Sequence, residues 1–133
     1  MRGFIPHSNE DGRVPPWKYL PCSAITPKIG MAMVQSSGNL AIATGTTKPT
    51  HICMRDEDSA VTAGDLVPVI EVLPDQVFEC TNSASLSGVN IGQKVTLHAS
   101  NGLQITGTTT SGVATLVYKE ADAIGSRCLV KFA

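Results

Sequence analysis

The sequence predicts an all-β domain, built as a small barrel, a β-tulip-like fold or a sandwich. From Cys22 onward, short runs of Val, Ile, Leu, Thr and Met alternate with Gly, Ser, Asn, Asp and Pro, which is the pattern of strands joined by tight turns. A series of five elements also occurs twice, which predicts that one β unit is used twice. The 133 residues suit one domain. Many short strands with frequent turns are typical of sandwiches and small barrels.

The first element is an extended arm at residues 1–21. Proline fixes φ and lacks an N–H, so this segment should form neither a helix nor an inner strand. It contains four of the eight prolines of the chain, Pro6, Pro15, Pro16 and Pro21. A freely solvated arm seldom carries large apolar side chains, so the arm either packs on its own domain or anchors to a partner. The candidate partner-binding residues are Phe4, Ile5, Trp17 and Tyr19.

The β domain follows at residues 22–133, and the two predicted repeats cover 29–72 and 91–132. Each begins with Ile-Gly and an apolar run, continues through Gly-Thr-Thr to a hydrophobic strand, and then has an acidic turn and a closing strand. The stretch 82–88 joins the repeats and should be a turn or a single short helix at most, and residues 83–90 form the linker. The arm is expected to have no counterpart in the second repeat, where this linker stands instead.

Three positions predict local geometry. The segment 36–39 should form a hairpin turn, and Asn101-Gly102 should form a type I′ turn because both residues tolerate positive φ. Pro68 interrupts the strand 66–70, which predicts that this strand lies at an edge or carries a bulge.

Composition argues against two classes of partner. The net charge is -1 and only 16% of residues are charged, so no basic surplus exists to attract nucleic acid. No apolar segment is long enough to span a membrane, and the first residues lack the apolar stretch of a signal peptide. We therefore expect a soluble protein made in the cytoplasm that binds neither nucleic acid nor membrane.

The residues that carry chemistry form no recognisable catalytic, cofactor or metal site. No nucleophile elbow and no phosphate-binding glycine loop is present. His51 and Cys53 share a strand face, but they supply only half of a zinc site. The four cysteines are widely spaced and are expected to be buried, reduced thiols. The acidic stretch 55–58 fits a solvated turn better than a calcium or carbohydrate site. The prediction is that the protein is not an enzyme.

Five segments together give the chain a resemblance to a known group. They are Thr26–Val34 (TPKIGMAMV), Ser37–Gly45 (SGNLAIATG), Pro49–Met54 (PTHICM), Gly64–Ile70 (GDLVPVI) and Ala121–Phe132 (ADAIGSRCLVKF). In this order, after a proline-rich arm, the chain resembles the small head-decoration, or capsid cement, proteins of tailed bacteriophages.

The resemblance implies a virion protein that binds the outer surface of an assembled capsid and stabilises the shell. The implied partners are the major capsid protein and further copies of this chain, as a trimer. The implied site is the capsid exterior near local three-fold axes. Two other functions stay open from the sequence: another virion component, such as a tail, fibre-attachment or head-completion module, and a carbohydrate- or peptide-binding β module.

Overall fold

The computed structural model describes residues 3–133, and Met1 and Arg2 of the predicted arm lie outside the described residues. Residues 3–133 form eleven strands and no helix, which confirms the all-β prediction. In this range no helical segment has the length and apolar character needed to cross a membrane. In chain order the strands are β1 (Ile5–Ser8), β2 (Trp17–Pro21), β3 (Ala32–Ser36), β4 (Asn39–Ile42), β5 (His51–Cys53), β6 (Leu66–Glu71), β7 (Val77–Asn82), β8 (Lys94–Val95), β9 (Gln104–Ile105), β10 (Ala114–Lys119) and β11 (Arg127–Lys131).

The strands form two sheets that make a β sandwich. One sheet has the order β1-β7-β11-β10-β8, with β9 also paired to β7, and the other has the order β2-β6-β5-β3-β4. Neither sheet closes into a barrel, so the barrel alternative was wrong. In the second sheet, for example, β2 and β4 meet only at the single bridge between Cys22 and Leu40. One bridge is too short to form the continuous ladder that a barrel requires.

Two apolar clusters stabilise the sandwich. The larger cluster draws on both sheets, with Ile52 and Ile70 from one sheet and Phe78 and Val130 from the other. The smaller cluster is formed mainly by the second sheet and contains Cys22, Met33, Leu40, Cys53 and Val67. Nearly all of these side chains are completely removed from solvent, which supplies the main favourable term in folding.

The structure repeats one strand order. In the second sheet the order is β2-β6-β5-β3-β4, and in the first sheet β7-β11-β10-β8 follows the same antiparallel path. The antiparallel β3–β4 pair has its counterpart in the bridge between Leu97 and Ile105. The parallel contact of Cys22 with Leu40 has its counterpart in the parallel pairing of β7 with β9. The described residues therefore contain two sets of five strands with the same pairing order.

Hydrogen bonds around the repeated Ile-Gly dipeptides match between the copies. Gly30 N donates to Cys53 O at 2.7 Å, and Gly92 N donates to Leu116 O at 2.8 Å. Both glycines have positive φ, 82° and 95°, a conformation that L side chains rarely adopt. The repeated dipeptide thus marks a turn in the backbone.

A pair of serines extends the match to the start of each unit. Ser23 donates from both its N–H and its hydroxyl to Leu40 O, at 2.9 and 2.7 Å. Ser83 does the same to Ile105 O, at 2.8 and 3.1 Å. Each unit therefore begins one strand earlier than the predicted bounds of 29 and 91. Strand β2 of the arm corresponds to β7 in the second unit. Strand β1 is therefore the one strand of the arm that has no counterpart there.

The arm is extended, and its strands belong to the two sheets. Strand β1 pairs antiparallel with β7, and β2 pairs antiparallel with β6 along its full length. Each of these two strands ends a sheet order, as expected for a segment rich in proline. The arm thus connects one sheet of the sandwich to the other.

Local predictions had mixed outcomes. The hairpin at 36–39 is confirmed, with Ser37 and Gly38 at positive φ between β3 and β4. The type I′ turn at Asn101 is wrong, because only Gly102 has positive φ and the Asn101 side chain instead accepts a hydrogen bond from Leu103 N at 2.8 Å.

The prediction for Pro68 was also wrong, since β6 is an inner strand between β2 and β5. The proline is tolerated because its ring nitrogen faces the end of β5, which stops at Cys53. Its carbonyl still accepts a hydrogen bond from Met54 N at 2.9 Å. The proline therefore removes at most one ladder hydrogen bond, at the place where the ladder ends.

Candidate partner-binding surface on β2

The structure divides the four predicted anchor residues into two pairs. Phe4 is 0% exposed and belongs to the main core, and Ile5 is half-buried at the start of β1. Trp17 and Tyr19 are 55% and 61% exposed and lie two residues apart on β2. Residues two apart on a strand point to the same side. Of the four, only Trp17 and Tyr19 are therefore exposed together on one side of a strand.

Phe4 anchors the arm to its own domain. Its ring meets Phe132 edge-on, with centroids 5.1 Å apart and ring planes 70° apart. Its backbone N–H donates to Gly30 O at 2.7 Å, so the first residues of the arm also hold the Ile-Gly turn of the first unit. These contacts account for an aromatic residue in the arm without any partner.

The exposed aromatic pair continues onto the neighbouring strand. Trp17, Tyr19 and Pro21 lie opposite Ile70, Pro68 and Leu66 of β6, and residues that pair across strands share a face. Leu66 is 57% exposed, while Pro68 and Ile70 are buried. We call Trp17, Tyr19 and Leu66 the aromatic face. Sequence inspection identified the two aromatic residues but missed Leu66, whose position depends on the β2–β6 register.

The aromatic face stands on a rigid support. Five consecutive pairs, from Trp17–Ile70 to Pro21–Leu66, connect β2 to β6 without a bulge. On the opposite side of β2, Lys18 Nζ lies 3.1 Å from Glu71 Oε2, and both side chains are about half exposed. The pair is solvated, so it adds little stability, but it leaves no uncompensated charge on β2.

The outer backbone edge of β2 is open at Trp17 and Tyr19, whereas β4 meets the end of this edge at the Cys22–Leu40 bridge. Cys22 N donates to Asp65 O, so the even-numbered residues of this strand turn their backbone groups toward β6. Ser23 N donates in the other direction, to Leu40 O, which shows that the odd-numbered residues turn outward. Trp17 and Tyr19 therefore direct their N–H and C=O groups away from β6. Within residues 3–133 these four groups have no hydrogen-bond partner.

The histidines make only local contacts. His51 Nδ1 lies 2.9 Å from Thr50 Oγ1, and His98 Nδ1 accepts the N–H groups of Ser100 and Asn101 at 3.1 and 3.2 Å. Burial lowers the pKa of His51. No group of three or more His, Cys, Asp or Glu within residues 3–133 is arranged to hold a metal ion.

The four cysteines are buried and free, as expected from their positions in apolar strands. Burial raises the pKa of the Cys53 thiol to about 11 and also raises the pKa of Cys22 and Cys80. A thiol is nucleophilic as the thiolate, so Cys22, Cys53 and Cys80 are small apolar groups at neutral pH.

The structure also has two open depressions. One, of about 410 Å³, is lined in part by Lys48, His51, Glu71 and Phe132. The other, of about 450 Å³, lies between β1 and the loop that follows it, with Asn9, Arg13 and Gln76 in its lining. Neither places a cysteine or a pair of carboxylates in its wall. The aromatic face and open edge of β2 are thus the features best suited to binding.

Neither the models of known protein families nor the curated protein sequences match this chain. The geometry of β2 and the resemblance given by the sequence segments remain as the indications of function.

Proposed function

We propose that this protein is a structural component of a tailed-phage virion that binds the outer surface of the assembled capsid and stabilises it. The observation that carries the proposal is the aromatic face: Trp17 and Tyr19, exposed side by side on a strand of a rigid all-β sandwich. The resemblance to capsid cement proteins supports it. The partner is the major capsid protein, and the chain acts by binding rather than by catalysis.

The chemistry of the aromatic face suits a binding surface. Tryptophan and tyrosine dominate the energetics of protein interfaces because they bury a large area and lose little side-chain entropy. The β2–β6 ladder fixes the backbone beneath Trp17 and Tyr19, so no loop has to become ordered when a partner binds. Leu66 extends the apolar area beside them.

A decoration protein also fits the electrostatics of the chain. Its net charge of -1 gives neither long-range attraction to nucleic acid nor strong repulsion between neighbouring copies on a shell. Shell binding then depends on short-range apolar contact at many equivalent sites. Copies that also touch one another bind more tightly than an isolated copy.

The location test is immunogold labelling of the particles produced by the genome that encodes this chain. An antibody against the chain should label the whole head surface in negative-stain images. Label at one vertex or along the tail would instead favour a head-completion, fibre-attachment or tail module. Absence of label from every particle would reject a virion role.

The surface test compares two exposed apolar sites. In cosedimentation with assembled shells, the double variant Trp17→Ala/Tyr19→Ala should bind at least about 100-fold more weakly, since aromatic hot spots contribute about 2 kcal/mol or more each. The control is Ile124→Ala, whose side chain is 69% exposed in a different turn and should not affect binding. Equal binding by both variants would exclude the aromatic face as the contact surface.

A further inference from the structure

Two of the four cysteines lie directly opposite each other in the first sheet. Cys128 of β11 pairs with Cys80 of β7, and residues that are opposite on antiparallel strands have their side chains on the same side. Both side chains belong to the larger apolar cluster, where Cys80 is 3% exposed and Cys128 is 0% exposed. The strand register thus holds two thiols side by side in the core.

The backbone at this pair has the spacing of a disulfide. Gly125 N donates to Asn82 O, so the even-numbered residues of β7 turn their backbone groups toward β11. Glu120 N donates to Arg127 O, so the next residue of β11 turns its own groups toward β7. The two cysteines are therefore a hydrogen-bonded strand pair, in which the Cα atoms lie about 5.5 Å apart. Cα atoms joined through a disulfide are usually about 5.5–6 Å apart.

The two thiols differ in their readiness to ionise. A hydrogen bond from Cys80 lowers the pKa of Cys128 against the opposing effect of burial, and the positive charge of Lys119 lowers this pKa further. Burial and the same hydrogen bond raise the pKa of Cys80. A thiol that ionises readily beside a second thiol is the arrangement in which an oxidised sulfur is captured by its neighbour.

The first unit shows that the fold does not require cysteine at these places. Three residues before the matching serines of the two units stand Leu20 and Cys80. Leu20 lies opposite Val67 in the β2–β6 ladder, just as Cys80 lies opposite Cys128 in the β7–β11 ladder. An aliphatic pair serves the packing in the first unit, so the thiols of the second unit add a chemistry that packing does not need.

The other two cysteines are arranged differently. Cys53 lies opposite Val69 in its ladder, and Cys22 meets Leu40 at a single bridge. The Cys53 thiol instead donates a hydrogen bond to Arg55 O at 3.2 Å. Both belong to the smaller apolar cluster, and burial raises the pKa of both thiols. Cys22 and Cys53 therefore provide an internal control for the opposed pair.

We propose that Cys80 and Cys128 are a redox modification site, at which a peroxide converts the two thiols into a disulfide that joins β7 to β11 and stabilises the sandwich. The Cys128 thiolate gives its electron pair to one peroxide oxygen and becomes a sulfenic acid, while the O–O bond breaks and the other oxygen leaves as water after taking up a proton. The Cys80 sulfur then forms the S–S bond, and the hydroxyl of the sulfenic acid leaves with the Cys80 proton as a second water. Two thiols and one hydrogen peroxide thus give one disulfide and two waters.

The disulfide should be reversible. The Cβ atoms of opposed strand residues lie about 4.5–5.5 Å apart, whereas a disulfide needs about 3.8 Å, so closure strains the ladder. Strained disulfides are more readily reduced. A reducing cytoplasm would keep the pair as thiols, and an oxidising medium outside the cell would close it. This site goes beyond the proposed function, because its closure requires no capsid.

Peroxide reaches the pair through local opening of the linker 83–90. Leu86 and Val89 of this linker belong to the same cluster as the two cysteines, and the linker contains no strand. Lys119 lies opposite Cys128, and its Nζ donates to Leu86 O and Val89 O at 3.1 and 2.8 Å. Segments outside the strand ladders open at lower free energy than the strands. The pair should therefore react with a small oxidant while the sandwich stays folded.

The first test is peptide mapping after treatment of the reduced full chain with hydrogen peroxide. Unfolding in iodoacetamide then alkylates the remaining thiols before digestion. The expected product has Cys80 linked to Cys128, with Cys22 and Cys53 alkylated. Absence of the link, a link to Cys22 or Cys53, or a Cys128 that stops at the sulfinic acid overturns the proposal. The urea-unfolded chain should give mixed links, and equal selectivity there would show that the strand register does not direct the reaction.

The second test compares the Tm of the oxidised and reduced chains. Closure of the loop from Cys80 to Cys128 restricts the unfolded state and should raise the Tm by roughly 5–10 °C, and dithiothreitol should reverse the shift. Cys22→Ala/Cys53→Ala should keep the shift, and the matched variant Cys80→Ala/Cys128→Ala should lose it. An unchanged or lower Tm in the oxidised wild type, or a shift that survives without Cys80 and Cys128, overturns the stabilising disulfide.

The two tests are independent of each other and of the capsid. Peptide mapping uses the wild-type chain, so it decides the site even where a double variant does not fold. Cosedimentation of the reduced chain with shells tests the proposed function without the disulfide, so either proposal can fail while the other stands.

Discussion

Replacement of Phe4 by alanine tests whether the arm is part of the folded core. Phe4 is 0% exposed, although it precedes the first strand. Its ring packs edge-on against Phe132, and its N–H binds Gly30 O. The substitution removes the ring but keeps the backbone hydrogen bond, so it isolates the packing contribution.

The expected loss follows from the burial. Truncation of a fully buried phenylalanine to alanine costs about 3–5 kcal/mol, because the transfer free energy of the ring is lost and a cavity remains. An edge-to-face aromatic pair accounts for about 0.5–1.5 kcal/mol of such a loss. A 133-residue domain has a free energy of unfolding of roughly 5–15 kcal/mol, so Phe4→Ala should remove a large part of it.

Urea denaturation followed by circular dichroism measures this change. The midpoint should fall while the slope of the transition stays the same, as expected when native packing is lost without a change in the unfolded state. The control is Trp17→Ala in the same arm, which should cost less than about 1 kcal/mol because its side chain is more than half exposed. If Phe4→Ala costs no more than this control, the arm is not a structural part of the core.

Two further predictions concern the core and a repeated turn. Because burial lowers the pKa of His51 below its ordinary 6.5, the folded state favours the neutral imidazole. The contribution of His51 to the free energy of unfolding should be complete above about pH 6.5 and should be lost as the pH falls. The free energies of unfolding at about pH 7.5 and pH 5.5 should therefore differ less for His51→Gln than for the wild type. Gly30→Ala and Gly92→Ala should each cost about 1–2 kcal/mol for positive φ. Gly30→Ala should lower the free energy of unfolding more, because its Cβ would lie 2.7 Å from the backbone of Gly3 and Phe4, whereas a Cβ at Gly92 would meet open space. Equal losses in the two variants, measured by urea denaturation, would contradict the contact between the arm and Gly30.

The fold class could be predicted because it depends on local patterns. Alternating apolar runs and turn residues indicate strands, and the Ile-Gly turns recur because each requires positive φ at Gly30 and Gly92. The choice between sandwich and barrel could not be predicted, since it depends on whether the first and last strands of a sheet form a ladder. The single Cys22–Leu40 bridge that decides this question has no local signal.

The candidate site was only partly predictable for the same reason. Sequence grouped Phe4 with Trp17 and Tyr19, because all three are aromatic residues in a proline-rich segment. Their separation into a core residue and a surface pair depends on long-range pairing of β1 with β7 and of β2 with β6. Leu66 belongs to the aromatic face because the β2–β6 ladder places it opposite Pro21. Residue type identified what could bind, and register determined which side chains are exposed.

Strands β2 and β7 occupy equivalent places in the two units, and the two units differ at the outer edges of these strands. Both strands pair with the closing strand of their own unit and turn their odd-numbered backbone groups outward. At β7 this edge is occupied by β1, and the outward-facing position holds Glu79, which pairs with Arg127 at 2.5 Å. At β2 the same position holds Tyr19, with an open edge and an exposed ring. A duplicated unit requires both copies to fold alike but does not require both edges to be closed. The two copies therefore differ in that β1 covers the outer edge of β7 at Glu79, whereas no strand of residues 3–133 covers the outer edge of β2 at Tyr19.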